Sequence, residues 1–340
     1  MKYPLFKIRE NGKFGFINAA GDTIVEAQYI EAEDYYHDFA RIIINNRPTH
    51  IDFLGRPMLK NVYNYVGLFE EGLCKAKNVH RWGFLDSRGN WHIEPDYIWV
   101  DDFSEGMAAA RMNGAIGFID ADGHSLIPEH FSQAKSFKEG IAPVANQQGL
   151  WGYIDTDGKW VIPAQFDEAF PFQKEVAVIL ENNKWGLIDD EGNLLLEPQF
   201  DYNEGSTEGQ FHEGFATFSI DEKYGVINQF GEIVLQPKLD YIANFHQGLA
   251  LVEFQGKFGY INDNVQVVIP PIYEDAGMFS DGIAQVKENG KWGFINEDNE
   301  YLIEPQFDEA GTFKNGLAWV SINNKWQYID ENGEFVWSEK

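Results

Sequence analysis

Gly282-Ile283-Ala284-Gln285-Val286-Lys287-Glu288-Asn289-Gly290-Lys291-Trp292-Gly293-Phe294-Ile295-Asn296, then Glu297-Asp298-Asn299, then Glu300-Tyr301-Leu302-Ile303-Glu304-Pro305-Gln306-Phe307, is the stretch that decides the fold. Three short runs of β-branched and aromatic residues are divided by turn signals, which predicts a three-stranded antiparallel meander. Asn289-Gly290 marks the first turn, because both central positions of a type I′ turn need positive φ. Asn296 opens the second turn by accepting a hydrogen bond from the backbone two residues on. Pro305 is expected to end the third strand, since proline removes a ladder donor.

The same unit recurs along the chain. Its aromatic-Gly pair appears as Phe14-Gly15, Trp82-Gly83, Trp151-Gly152, Trp185-Gly186, Tyr224-Gly225, Phe258-Gly259 and Trp292-Gly293. Phe14, Pro48, Trp82 and Ile116 follow one another at intervals of 34, as do Tyr224, Phe258, Trp292 and Trp326. A fixed period of this size signals one supersecondary unit copied about ten times. The second turn begins with Asn or Asp in every copy, from Asn18 and Asp52 to Asn296 and Asp330. Three residues later stands Gly21, Gly55, Gly89, Gly123, Gly158, Gly192, Gly231 or Gly333, with Asn299 and the misfit Val265 in the other two copies. That position predicts a left-handed residue. The glycine after each anchor aromatic predicts a close approach by another backbone or ring, read as an anchor packing over a neighbouring unit.

Between units runs a connector with one aromatic (Tyr35, Phe69, Phe103, Phe137, Phe172, Phe211, Phe245, Phe279, Phe313), followed by a Gly-apolar-Ala step. Cys74 stands at the Ala position of its copy, so it is expected to fill a small buried slot rather than to react. As the single cysteine it forms no intramolecular disulfide.

No linker interrupts the period, so residues 1–340 read as one array with an inserted loop at 203–209, an atypical start and a C-terminal cap. Three strands per unit and about ten units fit poorly with a propeller of four-stranded blades. The termini do not share a unit, and Gln327 and Trp337 replace the anchor glycine and an aliphatic residue, as capping residues would. The expected fold is therefore all-β, an open curved β-solenoid, with a closed propeller-like ring as the alternative.

Lys184-Trp185-Gly186-Leu187-Ile188-Asp189 and Lys291-Trp292-Gly293-Phe294-Ile295-Asn296 resemble the motif of the bacterial WG-repeat (KWG-repeat) family. The resemblance covers all ten copies, with departures at Pro48-Thr49, Ile116-Gly117 and the last copy. It implies a bacterial binding or interaction module and carries over no catalytic residue.

Composition narrows the partners. With 54 acidic against 26 basic residues the net charge is −28, which argues against nucleic acid and anionic membrane surfaces. The absence of a long apolar run predicts no membrane insertion and no signal peptide, and points to the cytoplasm. No GxSxG, P-loop, dinucleotide or zinc-cysteine motif is present, so no enzyme activity, catalytic residue or cofactor is expected.

Asp120-Ala121-Asp122-Gly123 and Asp155-Thr156-Asp157-Gly158 look like the start of a calcium loop, but an apolar strand follows where further ligands belong, and no metal is expected. Basic residues before the anchors (Lys13, Arg47, Arg81, Lys184, Lys223, Lys257, Lys291, Lys325) predict either pairs with nearby acids or a cationic ladder. Repeated positions build the scaffold, so departures mark the candidate binding residues. These are Arg47 and His50 in the degenerate second copy, and Asn203, Glu204, Ser206, Thr207 and Glu208 in the insertion. The expected function is a non-enzymatic scaffold for protein or peptide interaction. The alternative is carbohydrate binding through exposed aromatics.

Overall fold

The computed structural model describes residues 4–36, 39–44, 46–59, 63–202 and 209–339. Their regular structure is entirely β, in ten small antiparallel sheets. The chain divides into two compact units, one made of Met1–Asp38, Phe53–Gly55 and Thr207–Lys340, the other of Phe39–Asp52 and Arg56–Ser206.

Local turn chemistry behaves as the sequence dictates. Asn289 and Gly290 have φ of 50° and 76°, as a type I′ hairpin requires. At the second turn, Asp155 Oδ1 accepts hydrogen bonds from the backbone N–H of Asp157 (3.0 Å) and Lys159 (2.8 Å). The left-handed position holds even at the misfit, since Val265 adopts φ 58°.

Two expectations about the repeat are corrected. Seven of the ten sheets have four strands rather than three. In six of them the extra strand is a two-residue piece of the preceding connector, such as Glu309–Ala310, which pairs with Val320 and Ser321 of the next repeat; in the seventh it is the longer Tyr65–Glu70. Two residues leave no period-2 pattern, so the strand is invisible in sequence. Nor does the third strand stop at proline: Leu194–Asp201 runs through Pro198. Trp185 pairs with Phe200 and Leu187 with Leu196, so the outer strand bulges opposite Gly186. In a bulge on an edge strand the missing proline N–H costs no ladder bond.

That bulge also explains the anchor glycine. A Cβ on Gly186 would meet the Leu196 carbonyl oxygen at 2.5 Å and the Pro198 nitrogen at 2.7 Å. The backbone crossing there belongs to the repeat's own outer strand, not to a neighbouring unit as expected. The anchors themselves divide: Trp151 and Trp185 are buried, whereas Phe14, Trp82, Tyr224, Phe258, Trp292 and Trp326 are half-buried. The aliphatic position after them is buried in every copy, from Ile17 to Ile329. Each such side chain contributes roughly 1.5–3 kcal/mol.

In the unit containing residues 56–206, successive sheets share their cores. Phe118, Phe131 and Phe137 pack with Ala142, Val144 and Ile154 of the following sheet. A second, unforeseen tie repeats beside them. The carboxylate of Glu71 accepts the backbone N–H of Glu105 (2.7 Å) and Gly106 (2.9 Å), and that of Glu105 accepts Glu139 and Gly140. Glu105-Gly106 is itself a tight turn, φ 55° and 79°, closed by the bridge between Ser104 and Met107. In the same unit Cys74 is fully buried in its slot.

The other unit contains both the first sheet, β1 (Leu5–Glu10), β2 (Lys13–Asn18) and β3 (Thr23–Tyr29), and the last. Phe6, Ile8 and Ile17 of the first share one buried cluster with Leu317, Tyr328 and Trp337 of the last. Elsewhere a turn glycine packs on the outer strand of the preceding repeat, as Gly333 does on Ile303. Gly21 makes the corresponding contact with Val336. The ends are therefore joined as neighbours. The open solenoid is corrected in favour of the closed, propeller-like alternative, and Trp337 is a joint rather than a cap. No shared strand is needed: apolar side chains, the hydrogen bond from Tyr328 to the Lys7 carbonyl and the ion pair of Arg9 with Glu339 hold the junction.

Candidate functional site

A cavity of about 750 Å³ opens beside that junction, with every lining residue in the same unit. Its position follows from β1. The connector strand that borders eight other sheets has no counterpart here among the described residues, so β1 is an edge. Phe6, Tyr35, Phe313, Trp319 and Tyr328 form much of the wall, and Tyr36 and Phe53 stand exposed at its margin. Polar groups are interspersed: Lys7, ion-paired to Asp34 at 3.2 Å, with Thr312, Lys314 and Asn315. Tyr328 donates a hydrogen bond to the Lys7 carbonyl oxygen at 2.9 Å, and burial raises its phenol pKa. A cavity of this size with apolar walls and a few polar groups has the character of a binding site.

Of the residues expected from sequence, Arg47 and His50 do not line this cavity. His50 is fully buried between Phe39 and Phe69, at ring distances of 5.3 and 5.6 Å, while Arg47 is exposed at the hairpin end of the same strand. The two share no surface. Asn203, Glu204, Ser206, Thr207 and Glu208 lie outside the described residues. Three ladder lysines take the pairing reading: Lys184 meets Asp201, Lys223 meets Asp240 and Lys291 meets Asp308. Their hydrogen bonds hold the carboxyls of Asp240 and Asp308 below the usual range.

One group has metal-ligand character. Asp120, Asp122 and His124 offer ligand atoms within 4.8 Å of one another. The turn already uses Asp120, whose Oδ1 accepts the N–H groups of Asp122 and His124. Cys74 sits under a pKa pushed up to about 12 by burial, so it is not poised as a nucleophile.

The family model described as WG containing repeat matches residues 14–47, 82–114, 116–147, 151–185, 185–224, 224–258, 258–292 and 292–326. The chain belongs to the WG-repeat family. The unmatched gap after residue 47 coincides with the degenerate second copy, where Pro48-Thr49 replaces the aromatic-Gly pair. Comparison with curated proteins found no match. Among solved structures, the chain is similar to one titled as the eukaryotic initiation factor, with TM-score 0.57 and 10% identity, covering 90% of this chain and 97% of that one. It also matches BamB from Moraxella catarrhalis, with TM-score 0.41 and 11% identity over 89% and 91% of the two chains. At such identity the first likeness concerns the fold alone.

The cavity was not legible because it forms between residues more than 300 positions apart. One signal was available. Phe6 stands where other copies carry the small Ala of the Gly-apolar-Ala step, which marks the first copy's neighbour as different.

Proposed function

We propose that this WG-repeat chain is a non-enzymatic scaffold that binds a protein or peptide, with the cavity beside β1 as its binding site. The observation that carries this reading is a roomy aromatic cavity next to an edge strand. Aromatic rings around a desolvated pocket are the usual anchors of polypeptide recognition. No catalytic role is assigned to any residue, and the cytoplasm is the proposed location. The large negative charge disfavours nucleic acid and anionic lipid as ligands.

The exposed rings of Tyr36 and Phe53 beside Thr312 and Asn315 also suit sugar stacking, which keeps glycan binding as the second reading. Affinity capture with the native protein and with Tyr36→Ala/Phe53→Ala, run alongside a glycan array, tests the two. A protein partner lost by the double variant at unchanged melting temperature supports the proposal. Saturable glycan binding with no protein partner overturns it.

A further inference from the structure

We propose that the outer edge of β1 and the adjoining cavity bind an extended peptide segment of a partner protein, of the form acidic–x–apolar–x–x–aromatic. The inference rests on the interaction reading above and names its ligand class. It comes from what the connectors of this chain do at other junctions.

Consider residues 308–313. Asp308 pairs with Lys291 and accepts the backbone N–H of Asn323 in the next repeat at 2.7 Å. Glu309–Ala310 forms the short strand against Val320 and Ser321, and the Gly311 N–H donates to the Trp319 carbonyl at 2.9 Å. Phe313 then packs its ring against Phe294, the residue two after the anchor, at 4.9 Å. Residues 240–245 repeat much of this. Asp240 meets Lys223 and the N–H of Gln255, Tyr241–Ile242 pairs with Val252 and Glu253, and Phe245 closes the segment on Phe215 at 4.6 Å. Residues 274–279 do so again, with Glu274 accepting Gly290 N–H and Phe279 against Tyr260 at 4.7 Å. In each case an acid, a two-residue strand and an aromatic five positions after the acid seat the segment.

The first sheet offers the same receptor. Lys7 and Arg9 pair with Phe16 and Phe14 as Trp319 and Ser321 pair with Tyr328 and Trp326, so they hold the register positions that bind a connector strand. Because Trp319 and Ser321 turn their main-chain groups to the connector, Lys7 and Arg9 turn theirs to the edge, where the Lys7 carbonyl accepts the Tyr328 hydroxyl and keeps its second lone pair for an incoming N–H. Lys325, the counterpart of Lys291, is exposed and has no carboxylate within 4.0 Å among the described residues. Tyr328 takes the place of Phe294, but instead of a connector aromatic it meets Phe6 at 5.7 Å and lines the cavity. Phe6 fills part of the space, and about 750 Å³ remains beside it. An incoming strand would gain main-chain hydrogen bonds from the edge, and its aromatic side chain would enter the cavity, the division of labour typical of β-augmentation. Its acid would face Lys325.

The test uses a synthetic peptide with the sequence of residues 308–315 as probe, titrated against the full chain by calorimetry or fluorescence anisotropy. Saturable binding is expected, weakened about tenfold or more when the peptide's phenylalanine is replaced by alanine. Arg9→Pro, which removes an outward N–H from the edge, should abolish binding; a melting scan checks that the variant is folded. Lys325→Glu should weaken binding of this peptide and restore it for one carrying lysine in place of the first aspartate. That charge swap stands whether or not Arg9→Pro folds. No saturable binding at millimolar peptide, or binding indifferent to both the phenylalanine and the Lys325 swap, overturns the inference. If the peptide fails while Tyr36→Ala/Phe53→Ala still abolishes capture of a protein partner, the scaffold reading stands and only the ligand class is wrong.

Discussion

The Tyr328 hydroxyl donates to the carbonyl of Lys7 at 2.9 Å, joining residues 321 positions apart in the chain. Among the described residues it is the one side-chain hydrogen bond that ties β1 to the last sheet's Lys325–Asp330 strand, and it sits within the shared apolar cluster. Tyr328→Phe keeps the ring and leaves that carbonyl without its donor, which should cost about 1–3 kcal/mol. The expected readout is a melting temperature lower by a few degrees; no change in a thermal scan would show that the junction does not depend on this bond.

Gly21 tests the same junction through the backbone. Its φ is 84° and the Val336 carbonyl lies against it, whereas Gly12, at φ 73°, faces open space. Both Gly→Ala changes carry the left-handed strain of about 1 kcal/mol. Only Gly21→Ala adds a clash, so it should lower the denaturation midpoint clearly more than Gly12→Ala. Equal effects would contradict the joined ends.

The anchors should not be equivalent. Trp185 is fully buried against Phe200 at 4.9 Å, so Trp185→Ala should cost about 3–5 kcal/mol. Trp292 is half-buried, with the Lys287 ammonium 5.8 Å from its ring centre, and Trp292→Ala should cost roughly half as much. Chemical denaturation of the two variants checks the order.

Cys74 should be silent. Burial pushes its thiol up to about 12, and alanine serves at the same position in eight other copies. Native protein at pH 8 should resist alkylation and become reactive only on unfolding. Cys74→Ala should change stability by less than about 1 kcal/mol. Rapid labelling of the folded chain would refute the buried slot.

Acid should loosen the inter-repeat joints at Asp240 and Asp308. Both carboxyls are held below the usual value, first by their lysine partners and then by a backbone N–H of the next repeat. Their folded pKa lies below the unfolded one. Their contribution is therefore complete above about pH 4 and is lost as pH falls through the depressed value. Melting temperature should drop over that acid range, and Asp308→Asn should shallow the drop. A double variant at Asp240 and Asp308 whose acid profile matches the parent would exclude these pairs as the cause.

Much of the repeat was legible because its causes are local. The left-handed turn position follows from side-chain size, and it held even where Val265 replaces glycine. The short connector strand and the bulge at Pro198 were not legible, since two residues carry no alternation and a proline inside a strand looks like its end. The tight turn at Glu105-Gly106 could have been read: Asp281-Gly282 and Asn315-Gly316 stand at the same place with the ordinary hairpin signature.

The sequence by itself determined the period, the hairpins, the Asx turns and the buried Ala and Cys slots, because each depends on φ preferences and side-chain volume within one 34-residue unit. Only the tertiary structure decided that the first sheet meets the last, that β1 is an edge, and that a cavity opens beside it. Those features depend on contacts such as Phe6 with Tyr328 and Gly21 with Val336. A pattern that repeats every 34 residues is the same whether the ends of the array meet or part. What distinguishes the two is the small rotation between neighbouring units, summed over the whole array, and no single unit records that sum.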